Sequence, residues 1–328
     1  MNEMIKRQIL EKIKEYDRIF LFRHVRGDGD CVGAAKGLQA MIRLTWQDKE
    51  VYLIDPDEPE QVEFMGHNDA PVADELYRDA LAIVLDTAVE NRISVDKYKL
   101  CKELIKIDHH IPVENYGDLY WVEENRSSCC EMLVDFYETF REELKMDPQI
   151  ATYLYAGMVT DSGRFRYEGV NGDTLRAAAT LLDAGVDTQR LYAQLYLEKA
   201  ESLKFRSYVY DNMVLTENGV AYLYISAATR ERFGLTMEQA SLAVDYMDSI
   251  KGVLSWMIFQ EVGDEKNTIR VRMRSRFVPI SQVAQRYNGG GHALACGATV
   301  YSRKDAEALV QDTDQVVKHY KETHTDWL

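Results

Sequence analysis

Proline is scarce in this chain: six residues in 328, too few for a Pro-rich linker or a low-complexity tract. Cysteine is scarcer still. The five (Cys31, Cys101, Cys129, Cys130 and Cys296) form no CxxC pair and would leave one over if they paired, which excludes a disulfide framework. They read instead as small buried apolar residues in a reducing cytoplasm. No apolar run approaches the roughly 20 residues of a membrane span. The charged amphipathic start, MNEMIKRQILEKIKEYDR, has no cleavage site of a secretory signal. Positive charge is also in deficit. With 39 Lys and Arg against 54 Asp and Glu, the net charge is −15, which excludes a broad basic surface for long nucleic acid. A small anion remains bindable where positive charge is concentrated locally or bound metal ions supply it.

What is present is an ordinary globular composition, 46% hydrophobic and 28% charged, at a length comfortable for two domains. Apolar or β-branched runs at 18–24, 50–56, 81–88, 103–110 and 119–125 predict strands, with helical patterns at 31–46, 127–145 and 148–160. Continuous apolar strands separated by helices predict a parallel sheet covered on both faces. From about 186 the texture changes. Residues 187–213 read as one long charged helix or two in succession; shorter, more alternating strands follow at 220–226, 253–262 and 267–276, then a Gly-rich turn and a final amphipathic helix. The expected architecture is α/β: a parallel-sheet domain over 1–185, a helical linker over 186–205 and a smaller α/β domain over 206–328.

Polar residues gather where the first strands end. His24 closes the first run, with Asp28 and Asp30 in the turn after it; Asp86 ends LAIVLD; Asp108, His109 and His110 end LIKIDHH; Asp161 follows GMVT. In an open parallel sheet, ligands bind outside the carboxyl ends of the strands. One Asp in a turn is an Asx-turn or a helix cap. Five carboxylates and three histidines brought to one edge by four segments are harder to read that way, because their repulsion demands counter-ions. Oxygen and nitrogen ligands without a thiolate pair favour Mn²⁺ or Mg²⁺ over structural Zn²⁺. The ligands suffice for two ions sharing one carboxylate.

In His-x-x-x-Asp-x-Asp at 24–30, Asp86, Asp-His-His at 108–110 and TDSGRF at 160–165, the chain resembles the DHH phosphoesterase superfamily. GGGH at 289–292 resembles the DHHA1 domain that accompanies one branch of it. Length and domain pairing resemble the stand-alone nanoRNase/pAp-phosphatase group. The resemblance implies one metal held by His24, Asp28 and Asp86, and a second held by Asp30, Asp86, His109 and Asp161, with Asp86 bridging. It implies that Asp108 fixes a histidine tautomer and that His110 faces the substrate phosphate as hydrogen-bond donor or general acid. The metals' charge would make water nucleophilic near neutral pH. Two positions depart from the family pattern: Gly27 stands where the family has Pro, and Ala34 where it has Ser. Neither removes a ligand, and Gly27 is expected to leave the loop freer.

IRVRMRSR, read as a strand, puts Arg270, Arg272, Arg274 and Arg276 on one face. Such a row suits a solvated edge. It precedes SQVAQRYNGGGHALACG, however, where a short helix is expected to stop at Asn288-Gly289. Gly289, Gly290 and Gly291 would then let the backbone approach a ligand, with His292 beside them. The resemblance implies that this domain takes the nucleotide end of the substrate, with Arg274, Ser275 and His292 foremost. Arg164 and Arg166 offer phosphate contacts near Asp161, or a surface ion pair. A closed cleft would favour short oligoribonucleotides, released as 5′-mononucleotides, or pAp. The nearest alternative is a phosphodiesterase of cyclic dinucleotides or their linear products (pApA, pGpG). A polyphosphate hydrolase would lack GGGH, a long-strand exonuclease would need further domains, and a non-catalytic nucleotide sensor would have lost ligands that are all present. Expected partners are short nucleotides, with no long duplex and no membrane; a homodimer through either domain is compatible with the sequence.

Overall fold

The five apolar runs of the first half form one parallel sheet in the computed structural model, which describes residues 2–167, 169–198, 200–325 and 327. The chain divides into two compact units, Met1–Leu197 and Glu198–Leu328. In the first, α1 (Glu3–Glu15) precedes β1 (Arg18–Phe22), α2 (Gly29–Thr45) and β2 (Glu50–Leu53). There follow β3 (Leu81–Leu85), β4 (Glu103–Asp108), β5 (Leu119–Val122), α3 (Cys129–Thr139), α4 (Pro148–Asp161), α5 (Gly172–Asp183) and α6 (Thr188–Tyr196). The strand order is β2-β1-β3-β4-β5, with every pair parallel. The order reverses between β1 and β3, which is where such a sheet opens a crevice for ligands.

Each strand stops two or three residues short of its expected end: β1 at Phe22, β3 at Leu85, β4 at Asp108. The residues beyond are the polar ones. Asp86, at φ 52°, has left the extended region altogether and cannot continue a ladder. One sheet face packs Leu21, Ile83 and Ile107 against the helices. The other, with Phe20, Phe22 and Val84, is covered by Tyr77, Tyr98 and Tyr116 from single-turn helices and loops. The expected cover is therefore present, but on this face it is made without long helices.

Helices α2 and α4 approach closely because glycine permits it. A Cβ on Gly33 would lie 2.6 Å from Tyr153 O, and one on Gly157 would lie 3.2 Å from Asp30 Cα. That approach brings the start of α2, with Asp30, toward the end of α4, with Asp161. Asp147 caps α4 through Ile150 N, with Pro148 at its first turn.

The second unit runs α7 (Ala200–Asn212), β6 (Val214–Leu215), β7 (Val220–Ile225), α8 (Ala227–Phe233), α9 (Met237–Ser241), β8 (Ser255–Glu261), β9 (Ile269–Ser275), α10 (Ser281–Arg286), β10 (Gly290–Gly291), β11 (Ala295–Val300) and α11 (Arg303–Thr323). Its mixed sheet has the order β10-β11-β9-β8-β7-β6, with β7 and β8 parallel and the other pairs antiparallel. The charged stretch 187–213 is two helices, α6 and α7. Strand β11, ACGATV, was not expected, because alanine and glycine are poor strand formers.

Candidate metal centre

Asp28 and Asp30 open α2, and each is held by helix amides. Asp28 is the N-cap: its Oδ1 accepts from the amides of Asp30 and Cys31, both at 3.1 Å, which meets donors left over at a helix start. Its Oδ2 lies 3.5 Å from His24 Nε2. Asp30 is buried, and both its oxygens are fixed by the first turn of α3: Oδ2 accepts from Cys129 N at 2.7 Å and Oδ1 from Cys130 N at 2.9 Å. The positive end of α3 thus faces this carboxylate. The adjacent cysteines matter here for their amides, a role their thiol chemistry does not advertise.

β3 delivers Asp86. Its left-handed backbone is strained for a non-glycine residue, a cost of about 1–3 kcal/mol that gathers at functional sites. The carboxylate is buried, and among the described residues Oδ1 has no hydrogen-bond partner. That oxygen lies 3.4 Å from both His109 Nε2 and His110 Nδ1, while Oδ2 lies 3.5 Å from His24 Nε2. His109 Nε2 is also 3.4 Å from Asp161 Oδ2 and 3.8 Å from Asp30 Oδ2.

Backbone carbonyls decide which nitrogen each histidine presents. His24 Nδ1 is 2.9 Å from Val25 O, and His109 Nδ1 is 3.2 Å from Arg126 O. A carbonyl only accepts, so in the neutral rings Nδ1 carries the proton and Nε2 turns a lone pair to the carboxylates. His110 differs: its Nδ1 donates to Asp108 Oδ1 at 2.7 Å, leaving Nε2 as its exchangeable position.

The electrostatics are those of a site short of positive charge. Burial, and then the neighbouring Asp86, raise Asp30; burial, and then Asp30, raise Asp161. Burial opposes a charge on His109, but Asp86, Asp30 and Asp161 outweigh it and push the ring up to about 10. His24 is likewise raised against burial by Asp28 and Asp86. Without cations, protons must neutralise the cluster.

Among the described residues, the candidate ligand atoms fall into three groups: His24, Asp28, Cys31 and Asp86; Asp86, His109 and His110; and Asp30, His109 and Asp161. All six residues expected to hold metal are among them, and Asp86 belongs to two groups. Cys31 and His110 were not expected as ligands. Cys31 Sγ takes Asp28 N at 3.3 Å, and burial raises its thiol to about 11, so near neutral pH it serves as a protonated cap. Carboxylate oxygens, imidazole nitrogens turned inward and an orphaned buried oxygen on Asp86 fit divalent cations that prefer oxygen and nitrogen.

The turn before α2 is tied down rather than freed. Gly27 N donates to Asp57 Oδ2 at 2.7 Å, and Gly27 O accepts from Gln61 Nε2 at 3.3 Å. A Cβ at this position would fall 2.0 Å from Nη1 of the buried Arg23. Proline has no N–H to give Asp57. Gly27→Pro is therefore expected to destabilise the fold by about 1–3 kcal/mol through the lost hydrogen bond; an unchanged urea midpoint would show that Gly27 does not hold the turn. Ala34 is fully buried in α2, where a hydroxyl would need a partner.

In the second unit, β9 buries Ile269, Val271, Met273 and Ser275, and Arg270, Arg272 and Arg274 take the opposite face. Arg276 lies past the strand, over Trp256 at 5.1 Å. Arg274 pairs with Ala295, and Ser275 N donates to Leu294 O at 2.9 Å, which sets both beside the His292–Ala295 turn. His292 is exposed. Ser275 is buried, and its Oγ donates to Val278 O at 2.5 Å, so its proton is already engaged. The left-handed residue after α10 is Asn288, φ 53°, rather than Gly289, since asparagine tolerates that conformation. Gly289 and Gly291 are required by β11: Cβ atoms there would lie 2.0 Å from Gly297 O and 2.8 Å from Ala295 O, whereas Gly290 faces open space. Of the three glycines, Gly290 alone has an open flank. In the first unit, Arg164 stacks over Tyr196 at 4.5 Å and Arg166 Nε donates to Gly163 O at 2.8 Å.

Residues 18–158 match the DHH family, N-terminal domain, and residues 217–319 match the DHHA1 domain. The chain is 37% identical, over 97% of its length and 100% of the relative's, to the bifunctional oligoribonuclease and PAP phosphatase NrnA of Bacillus subtilis. It is also 37% identical, over 94% of its length and 98% of the relative's, to the probable bifunctional oligoribonuclease and PAP phosphatase NrnA of Streptococcus mutans. The crystal structure of an exopolyphosphatase-related protein from Bacteroides fragilis is similar at a TM-score of 0.83 and 26% identity, covering 98% of this chain and 97% of that one.

Proposed function

The chain belongs to the DHH family, in the branch that carries a DHHA1 domain, and we propose that it is a divalent-metal-dependent phosphohydrolase that degrades short oligoribonucleotides to 5′-mononucleotides and dephosphorylates pAp. The observation that carries the reading is Asp86, a buried carboxylate that faces His24 with one oxygen and His109 with the other. Its near-full-length relatives are named for both activities. Divalent cations, Mn²⁺ foremost, supply Lewis acidity toward a phosphoryl oxygen and acidify water enough for attack at neutral pH. His24, Asp28 and Asp86 would hold one ion; Asp30, Asp86, His109 and Asp161 would hold the other.

The remaining chemistry belongs to the chain itself. The Val25 and Arg126 carbonyls keep the protons of His24 and His109 on Nδ1, away from the carboxylates. Asp108 orients His110, whose Nε2 gives a hydrogen bond or a proton to the phosphate. In the second unit Arg274 and exposed His292 contact the nucleotide, Gly290 offers its open backbone, and Gly289, Gly291 and buried Ser275 shape the hairpin around them. Five cysteines without a bridge suit a reducing cytoplasm.

Initial rates with Mn²⁺ on pApA, a five-nucleotide RNA, a twenty-nucleotide RNA, pAp and cyclic di-AMP test the reading. Fast turnover of pAp and the short RNAs, fading with length, is expected. Preference for the cyclic substrate would replace the substrate class, and silence on all five would overturn the reading. His292→Ala is expected to raise KM for pApA about tenfold, the lower end of losing a hydrogen bond to a charged group. Hydrolysis of a small generic phosphodiester should hold steady; equal losses on both would contradict a recognition role.

A further inference from the structure

Strand β4 carries a lysine on its way to the Asp-His-His motif. Lys106 shares a sheet face with Asp108 by the two-residue period, and at 1% exposure it is out of reach of solvent or substrate. Burying an ammonium is strongly unfavourable unless its protons are met. Here they are met. Nζ donates to Ala88 O at 2.8 Å and to Glu114 O at 3.2 Å, and it lies 3.3 Å from Asp108 Oδ2. The Tyr116 ring covers it, 4.5 Å from Nζ to the centroid. Tyr116 Oη in turn donates to Thr87 O at 2.7 Å.

These contacts converge on the two segments that carry Asp86 and His110. Thr87 and Ala88 directly follow Asp86, whose left-handed backbone needs external support to persist. Asp108 Oδ1 takes His110 Nδ1, while among the described residues its Oδ2 has no hydrogen-bond partner, so Lys106 is the cation that balances that oxygen. A neutral side chain at 106 would leave a buried carboxylate and two carbonyls unmet, and both segments would be free to shift.

We propose that Lys106 is a positioning residue for the phosphohydrolase reaction proposed above: through Asp108 it fixes the His110 ring, and through Ala88, with Tyr116 on Thr87, it holds the Asp86 turn. A merely structural lysine would change stability alone. A positioning lysine also changes kcat, and part of that change runs through Asp108.

Two readouts test this in the full chain. The first uses metal-free protein labelled with ¹⁵N-histidine and follows the imidazole Nδ1–H signal of His110, assigned by its absence in His110→Gln. The signal is expected to persist in wild type and to be lost in Lys106→Met. The second is steady-state turnover of pApA with saturating Mn²⁺. Lys106→Met is expected to lower kcat by about 10–100-fold, the usual effect of removing a partner that orients a site residue, with KM moved less than about twofold. Its loss should add only in part to that of Asp108→Asn, which leaves the contact with Ala88 in place. Tyr116→Phe removes one hydroxyl and no charge; it should lower kcat several-fold, and it keeps the test open if Lys106→Met does not fold. An intact imidazole signal in folded Lys106→Met, fully additive losses with Asp108→Asn, or wild-type kcat in Tyr116→Phe would overturn the placement. Because the imidazole signal needs no substrate, its loss in Lys106→Met beside a wild type inert toward every nucleotide would sink the hydrolase reading and leave the placement of Lys106 standing.

Discussion

Asp86→Asn is expected to lower turnover of pApA by about 10³-fold or more, the scale seen when a group that stabilises developing charge is removed, while the metal-free protein keeps close to wild-type stability. The first half follows from geometry. Asp86 faces His24, His109 and His110 at 3.4–3.5 Å, so no other carboxylate here could serve both halves of the cluster. The second half follows from electrostatics. After burial, the charge on Asp86 is the next cause that raises Asp30, and with Asp30 it adds to the rise of Asp161, and among the described residues Oδ1 has no hydrogen bond to lose. An amide removes that repulsion and offers its neighbours a donor, but it also gives up the attraction by which Asp86 raises His24 and His109, so the two changes offset each other. Asparagine is the right replacement because it tolerates φ 52°, whereas alanine would add about 1–2 kcal/mol of left-handed strain. Turnover and thermal unfolding in chelator check both halves. Activity within about threefold of wild type would remove the shared-ligand reading; a large drop in Tm would make Asp86 a structural residue instead.

The contrast between activity and stability also explains what could be read from the sequence. His24, Asp28, Asp30, Asp86, His109 and Asp161 were legible because polar residues at the ends of apolar runs have no packing reason to be there; the parallel sheet sends the strand ends to one edge, and α4 ends there with Asp161. The parts that make the cluster work were not legible. The Cys129 and Cys130 amides on Asp30, and the Val25 and Arg126 carbonyls on the histidines, are backbone groups whose side chains say nothing about them. Lys106 carries no signal of its role in the sequence, because two of its partners, Ala88 O and Glu114 O, are backbone groups. Gly27 read as a loosened loop because its hydrogen bond goes to Asp57, thirty residues away. In the second unit the glycines read as one ligand-binding run. Two of them are explained by the proximity of β11, a strand that its alanine and glycine content concealed.

Chelation carries the other large effect. Excess EDTA is expected to abolish turnover of every nucleotide substrate, and Mn²⁺ to restore it further than Ca²⁺, because two imidazoles in the donor set suit a transition metal better than a cation that seeks oxygen alone. The fold should respond too. Mn²⁺ at about 100 times its Kd adds about 2.7 kcal/mol, or roughly 5–10 °C in Tm for a unit of this size. The sign with pH is fixed by the shifts. Asp30 and Asp161 are raised on folding, so in metal-free protein their contribution falls as pH climbs from the ordinary carboxylate range through their folded values. His109, pushed up to about 10, contributes stability that is full below its ordinary value near 6.5 and is lost as pH rises toward 10. Both trends weaken the metal-free protein as pH rises, while metal binding strengthens because fewer protons must leave the ligands. The rise in Tm caused by Mn²⁺ should therefore be larger at pH 8 than at pH 5.5. A rise that shrinks with pH would mean that protons and metal do not compete for these carboxylates and imidazoles, and that the cations bind elsewhere.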